Sequence, residues 1–220
     1  MKSEYMDIDQ KFKNPTPVAV AIIPVEKTVT YKINGLDISI TIHEAVYCRR
    51  NIEPKLGLLA LPGGFVNEME RLETGGKREV LEETGLTISE DEFQLFRSEI
   101  TPNNRNLIFG ITPTQTPDIL ITLEKNLLSN KTIQEETQAF VIGGLNIEDA
   151  AFPLHQKALG AYFDKINGAA IQKLLKNSLI VLTDDDLRVL LTTMKADGHL
   201  THDYPIVHNV NNLKLPKFRK

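Results

Sequence analysis

Gly64-Phe-Val-Asn-Glu-Met-Glu70-Arg-Leu-Glu-Thr-Gly-Gly-Lys-Arg78-Glu79-Val-Leu-Glu82-Glu83-Thr-Gly85-Leu86 is the stretch that decides how this 220-residue chain reads. Glu79, Glu82 and Glu83 stand at i, i+3 and i+4. On a helix that turns about 100° per residue they share one face. Like charges so placed destabilise an isolated helix. A solvated acidic face is one explanation, and a compensating cation is the other. Hard carboxylate oxygens favour Mg²⁺, Mn²⁺ or Ca²⁺ over zinc. Strong punctuation frames the run, Pro62-Gly63-Gly64 before it and Gly85 after it, and Glu70 and Arg78 stand at fixed distances from it.

The stretch resembles the Nudix box: Gly, five residues, Glu, seven residues, Arg-Glu, apolar, any, Glu-Glu, any, Gly, apolar. Gly64, Glu70, Arg78, Glu79, Val80, Glu82, Glu83, Gly85 and Leu86 fill that pattern without gap or mismatch. The resemblance implies an α/β chain, a Nudix α/β/α sandwich with a mixed β-sheet. It should cover residues 14–165, after an N-terminal arm at 1–13. Residues 166–220 would form a small, mainly helical C-terminal extension.

Composition agrees with an ordinary globular chain, at 41% apolar and 25% charged residues. A net charge of −4 gives no general pull toward nucleic acid or anionic membrane. No apolar run approaches the length that spans a bilayer, no signal peptide opens the sequence, and the expected compartment is the cytoplasm. The single cysteine, Cys48, excludes an internal disulfide. It lies in the apolar run 45–48 and reads as a packed core thiol.

Residues 18–25 are continuously apolar between prolines and predict a strand buried on both faces. Alternating residues at 28–33 and 36–42 flank Asn34-Gly35, the signature of a type I′ hairpin. The box helix is expected from Arg71 to Thr84, with Gly85 as its left-handed cap. Gly75 and Gly76 each cost about 0.8–1 kcal/mol inside it relative to alanine. Their bare backbone would leave room for a bound diphosphate or a close strand. Strands follow at 93–100 and 106–112. Residues 119–123 read as a short strand or as the start of a helix reaching Leu128. Ser129-Asn130-Lys131 reads as a turn, and a loop carrying Glu135 and Glu136 precedes a strand at 138–142. A closing helix spans 151–166. Residues 171–182 and 184–194 read as two short helices, or a helix and a strand, with Thr183 as an N-cap. From Ile166 onward the charge is +3, against −7 for the rest, and the end from Lys214 is basic.

The Nudix resemblance implies a pyrophosphohydrolase of the ADP-ribose pyrophosphatase type. Arg49-Arg50, Pro54, Gly57 and the run Ala60–Val66 fit that type, and Pro102, sixteen residues after Leu86, is its loose marker. The implied catalytic residues are Glu79, Glu82, Glu83, Arg78 and Glu136, with Glu135 as second candidate to Glu136. Arg78 would hold the carboxylate face by pairing with Glu70 or Glu82. Glu79 is a candidate for both metal ligand and general base. The implied metal ligands are Gly64 (or Gly63) through its carbonyl, Glu79, Glu82 and Glu83, for Mg²⁺ or Mn²⁺. Arg49, Arg50, Phe65 and Pro102 are the substrate-binding candidates. His155, with no partner at metal spacing, reads as a surface or packing residue. The expected partner is a nucleotide substrate. Many such proteins pair as homodimers, and the N-terminal hairpin is the candidate exchanged element. Two alternatives stand beside this reading: a nucleotide-sensing regulator that uses residues 166–220 for output, and a nucleoside triphosphate pyrophosphohydrolase.

Overall fold

The structure, a computed structural model, describes residues 14–177 and 182–201. The expected arm at 1–13 and the basic end from Lys214 lie outside the described residues. Among the described residues, eight strands form two four-stranded sheets. In the first sheet the order is β5 (Gly63–Phe65), β1 (Thr16–Ile22), β7 (Arg105–Ile111), β6 (Gln94–Ile100). β1 and β7 are parallel and the other pairs antiparallel, so the sheet is mixed. In the second, β3 (Leu36–Arg50) pairs with β2 (Pro24–Ile33) along its first part and with β4 (Leu59–Ala60) and β8 (Thr137–Gly143) along its last. Asn34 and Gly35 have φ of 47° and 86°. Both central residues of the hairpin turn are therefore left-handed, as the Asn-Gly pair predicts.

The apolar run at β1 is buried on both faces because helices cover both. Ala19, Ala21 and Ile23 join Val46, Val80, Phe93, Leu123 and Ile133 in one core. That core lies under α1 (Leu72–Thr84), α2 (Ile119–Ser129) and α3 (Lys131–Glu136). Val20 and Ile22 join Tyr47, Leu61, Phe109, Leu159 and Phe163 in a second core, under α4 (Pro153–Asn177). Alternation along one strand thus feeds two cores, and the layering is α/β/α. Cys48 is buried in the first core, as expected.

A third core lies at the hairpin. Tyr31, Ile33, Ile38, Ile40 and Ile42 pack against Ile171 of α4 and Leu187, Leu190, Leu191 and Met194 of α5 (Asp184–Ala196). Thr183 caps α5: its side chain accepts the Asp186 N–H, and the Asp186 carboxylate accepts the Thr183 N–H. α4 is longer than the closing helix expected at 151–166, and residues 171–177 are its last turns rather than a separate element. Residues 119–129 are helix throughout. No helix of the described residues is long and apolar enough to cross a membrane.

Two expectations need correction. Glu135 and Glu136 do not lie in a loop; they end α3, which Asn130 starts by accepting the Thr132 N–H. Gly75 and Gly76 do not leave room for a ligand. A Cβ at Gly76 would overlap the ring of Phe93, which is 1% exposed. One at Gly75 would sit 3.2 Å from Glu70 Oε2 and 3.3 Å from Val66 Cγ2. The bare backbone of α1 serves close packing.

Candidate active site

α1 begins after extended Arg71 and ends at Gly85, whose φ of 72° and bond from its N–H to Leu81 O make the left-handed cap. Its acidic face leans on the β4–β5 segment. Glu83 is 7% exposed, and its Oε2 accepts the Gly63 N–H at 3.1 Å. Glu79 is equally buried, and a Cβ at Gly64 would stand 2.5–2.7 Å from its carboxylate. Only glycine lets the carboxylate approach the backbone so closely.

Arg78 ties the face together. Its Nε and Nη2 donate to the two oxygens of Glu70, each at 3.0 Å. Nη1 donates to Glu79 Oε1 at 2.6 Å and to Glu82 Oε2 at 2.9 Å, and Nη2 also reaches Phe65 O at 2.8 Å. The expected pairing with Glu70 or Glu82 is met by both, with Glu79 added. The rigid guanidinium fork suits this role, which a lysine cannot fill. These bonds hold the Glu70 carboxyl below its usual pKa range.

The deeper carboxyls behave oppositely. Burial raises the Glu79 pKa, though Arg78 pulls it down. Burial, reinforced by Glu79 and Glu136, raises the Glu83 pKa well above the usual range against the Gly63 N–H bond. Desolvation disfavours the charged form, and neighbouring carboxylates compound it.

Glu79, Glu82, Glu83 and Glu136 line one cavity of about 620 Å³. Gly63, Gly64, Phe65, Arg78 and Arg50 line it too, so most of the sequence-derived site residues come together. Glu136 is fixed at the rim by the Asn51 N–H, which donates to its carbonyl at 2.8 Å. Arg50 lies 5.5 Å from the Phe152 ring centroid, and its Nε donates to Pro54 O.

Arg49 and Pro102 are not among the lining residues. Arg49 precedes Arg50 on a strand whose side chains alternate. It donates to Gly57 O at 2.7 Å and lies 4.0 Å from Asp149, so it braces the loop. Around Pro102, Thr101 and Asn103 line the cavity instead. Arg105, Phe152 and His155 line it without having been singled out as site residues from the sequence. Arg105 begins β7 and lies 4.9 Å from the Phe65 ring centroid. The order of β7 beside β1 and β5 makes that contact, and no local motif signals it.

The donor chemistry is of the kind a hard divalent cation takes: four carboxylates line one cavity, and two of them are buried with raised pKa values. Among the described residues, no three His, Cys, Asp or Glu side chains converge closely enough to hold an ion. Arg78 occupies an oxygen each of Glu79 and Glu82.

Residues 41–140 match the family model described as the NUDIX domain. That likeness spans 100 of the 220 residues, a little under half of the chain. The match takes in β3 from Thr41, the whole box and β8 as far as Phe140; α4 lies beyond it. Hydrolases with this domain generally use divalent metal cations. No curated protein matches the chain.

Among solved structures, a mutT/nudix family protein from Listeria innocua is 19% identical, covering 76% of this chain and 100% of that one, with a TM-score of 0.48. A MutT/nudix family protein from Enterococcus faecalis is 19% identical over 51% of this chain, with a TM-score of 0.38; the chain spans 43% of its length. The NUDIX domain of Shewanella oneidensis NrtR, solved with ADP ribose, is 18% identical over 53% of this chain and 71% of its own, with a TM-score of 0.37. These likenesses are distant, and nothing about substrate follows from them.

Proposed function

We propose that the chain is a divalent-cation-dependent Nudix hydrolase that cleaves the diphosphate bond of a nucleoside diphosphate linked to a second moiety, with ADP-ribose-like compounds as the favoured class. One observation carries the reading. A single cavity joins four carboxylates on one wall to two arginine–aromatic pairs, Arg50–Phe152 and Arg105–Phe65. Its volume of about 620 Å³ suits a nucleotide-sized ligand. The arginines offer donors for phosphate oxygens, and the rings offer apolar faces for a base or sugar.

A diphosphate resists hydrolysis because its own charge repels nucleophiles. A cation held by Glu79, Glu82 and Glu83, with a carbonyl of Gly63 or Gly64, would neutralise that charge and acidify water. Arg78 keeps the carboxylates in place and does not need to touch substrate. Glu79 keeps one oxygen clear of Arg78, and its raised pKa suits it to take the proton of the attacking water. Water adds to phosphorus, the bridging P–O bond breaks, and the bridging oxygen leaves on the other phosphate. ADP-ribose and water would give AMP and ribose 5-phosphate.

The test is product release from a panel of ADP-ribose, NADH, diadenosine polyphosphates, nucleoside triphosphates and sugar nucleotides with Mg²⁺ or Mn²⁺. Turnover of ADP-ribose should fall at least about a hundredfold in the Glu82→Gln, Glu83→Gln double variant. Turnover of triphosphates alone would reassign the substrate. No turnover with any compound, together with a ligand-induced rise in Tm, would replace the hydrolase with a nucleotide sensor.

A further inference from the structure

His155 is the third residue of α4 and is 7% exposed, yet it lines the cavity. Its Nδ1 accepts the Leu61 N–H at 3.2 Å. An imidazole that accepts at Nδ1 carries its proton on Nε2. Phe152 and Phe109 hold the ring plane, with centroids 4.9 Å and 5.7 Å away. Burial, with Arg50 adding to it, lowers the His155 pKa to about 3, so the ring stays neutral and Nε2 stays a donor. No acceptor among the described residues takes that proton. The sealed polar atoms without partners among those residues are Arg97 Nε, Asn106 Oδ1 and Gln156 Oε1. His155 Nε2 is not one of them, and the residue lines the cavity.

Its position relative to the acidic wall is fixed by the backbone. The Leu61 N–H holds His155, and the Gly63 N–H, two residues on, holds Glu83. The ring and the carboxylate thus accept from N–H groups two residues apart on one short segment. Arg50 is close enough to both to bias their protonation.

We propose that His155 is a substrate-binding residue that donates its Nε2–H to a phosphoryl oxygen of a diphosphate-bearing ligand, beside Arg50. The proposal rests on the diphosphate reading above, and it adds a residue outside the matched domain to the site.

Asparagine and glutamine separate the two ends of the imidazole. In His155→Asn the amide oxygen can replace Nδ1 and keep the Leu61 bond, while the donor to the ligand is lost. In His155→Gln the amide nitrogen can replace Nε2. The full chain and both variants would be titrated with inorganic pyrophosphate and with ADP-ribose by calorimetry in chelator. Thermal melting and, with Mg²⁺, KM and kcat would be measured alongside. We expect His155→Asn to melt near the wild type and to bind both probes at least tenfold more weakly, with the loss in KM rather than kcat. His155→Gln should recover binding to within about threefold. Unchanged affinity in a folded His155→Asn overturns the proposal while leaving the hydrolase intact. Weakened binding without turnover in any variant upholds the proposal and overturns the hydrolase. A wild-type chain that neither binds nor turns over either probe overturns both.

Discussion

Glu83 carries a charge that α1 cannot accommodate on its own. It is 7% exposed, its carboxylate accepts a backbone N–H, and the charges of Glu79, one turn earlier, and Glu136 press on it. Its folded pKa is raised above the roughly 4.3 of an unfolded glutamate, chiefly by burial. The stability this group contributes is therefore complete below the unfolded pKa and is lost as pH rises through the folded value. Without divalent cations, urea denaturation from pH 5 to pH 9 should show stability falling. Glu83→Gln, which keeps an oxygen for the Gly63 N–H, should flatten that fall and be the more stable chain at pH 8. Adding Mg²⁺ or Mn²⁺ should raise the stability of the wild type, by about 2.7 kcal/mol at a hundred times Kd, and leave the variant nearly unchanged. A variant less stable than the wild type at pH 8 in chelator would sink this account. The three glutamates were legible as a group because helical spacing is local. Their unequal burial was not, because it depends on where the β4–β5 segment lies.

At the scale of the element, α1 is helical despite its glycines because a packed partner fills the space they leave. Phe93 sits between Gly76 and Gly110, and a Cβ at either would overlap its ring. With glycine backbone on both sides, the ring cannot retreat. Gly76→Ala gains roughly 0.8–1 kcal/mol of helix propensity, but overpacking costs about 1–3 kcal/mol. The net should be a loss, read as a lower urea midpoint. Gly75→Ala meets only side-chain atoms of Glu70 and Val66 at 3.2–3.5 Å, which can shift. It should be neutral or slightly stabilising. Equal gains from both substitutions would show that Phe93 does not clamp the helix. The helix itself, its glycine cap and the Asn34-Gly35 hairpin were readable because each is specified within a few residues. α3 was missed because its six residues carry too little periodicity to mark a helix.

At the scale of the whole molecule, the β2–β3 hairpin cannot bury its apolar face alone. Ile38, Ile40, Ile42 and Tyr31 are covered by the last turns of α4 and by α5. A hydrogen-bonded chain runs through the same junction. Tyr31 OH lies 2.7 Å from His199 Nδ1, His199 Nε2 lies 3.1 Å from Glu44 Oε1, and Lys27 pairs with Glu44 at 2.8 Å. The Asn167 side chain donates to the His43 and His199 carbonyls. A chain ending at Lys176 would expose several of these apolar residues, each worth about 1.5–3 kcal/mol when buried. It should melt lower and self-associate, seen by light scattering after size exclusion. A monodisperse truncated chain with the wild-type Tm would mean that the hairpin does not depend on α5.

The sequence by itself determined what depends on neighbours along the chain: the acidic helix face with its Arg78 clamp, the type I′ turn and the doubly buried β1; the α/β class came with the family resemblance. Glu136 and Phe65 were pointed to by the Nudix resemblance and not by local spacing. Only the tertiary structure decided which side chains share the cavity. Arg50 enters and Arg49 turns away because alternation on β3 has a phase that packing sets. Arg105 reaches Phe65 because β7 lies parallel to β1, with β5 on β1's other edge. His155 reaches the cavity lining because α4 lies across the second core. These are contacts between residues tens of positions apart. They are set by which apolar faces bury each other, and no periodicity within one segment encodes them.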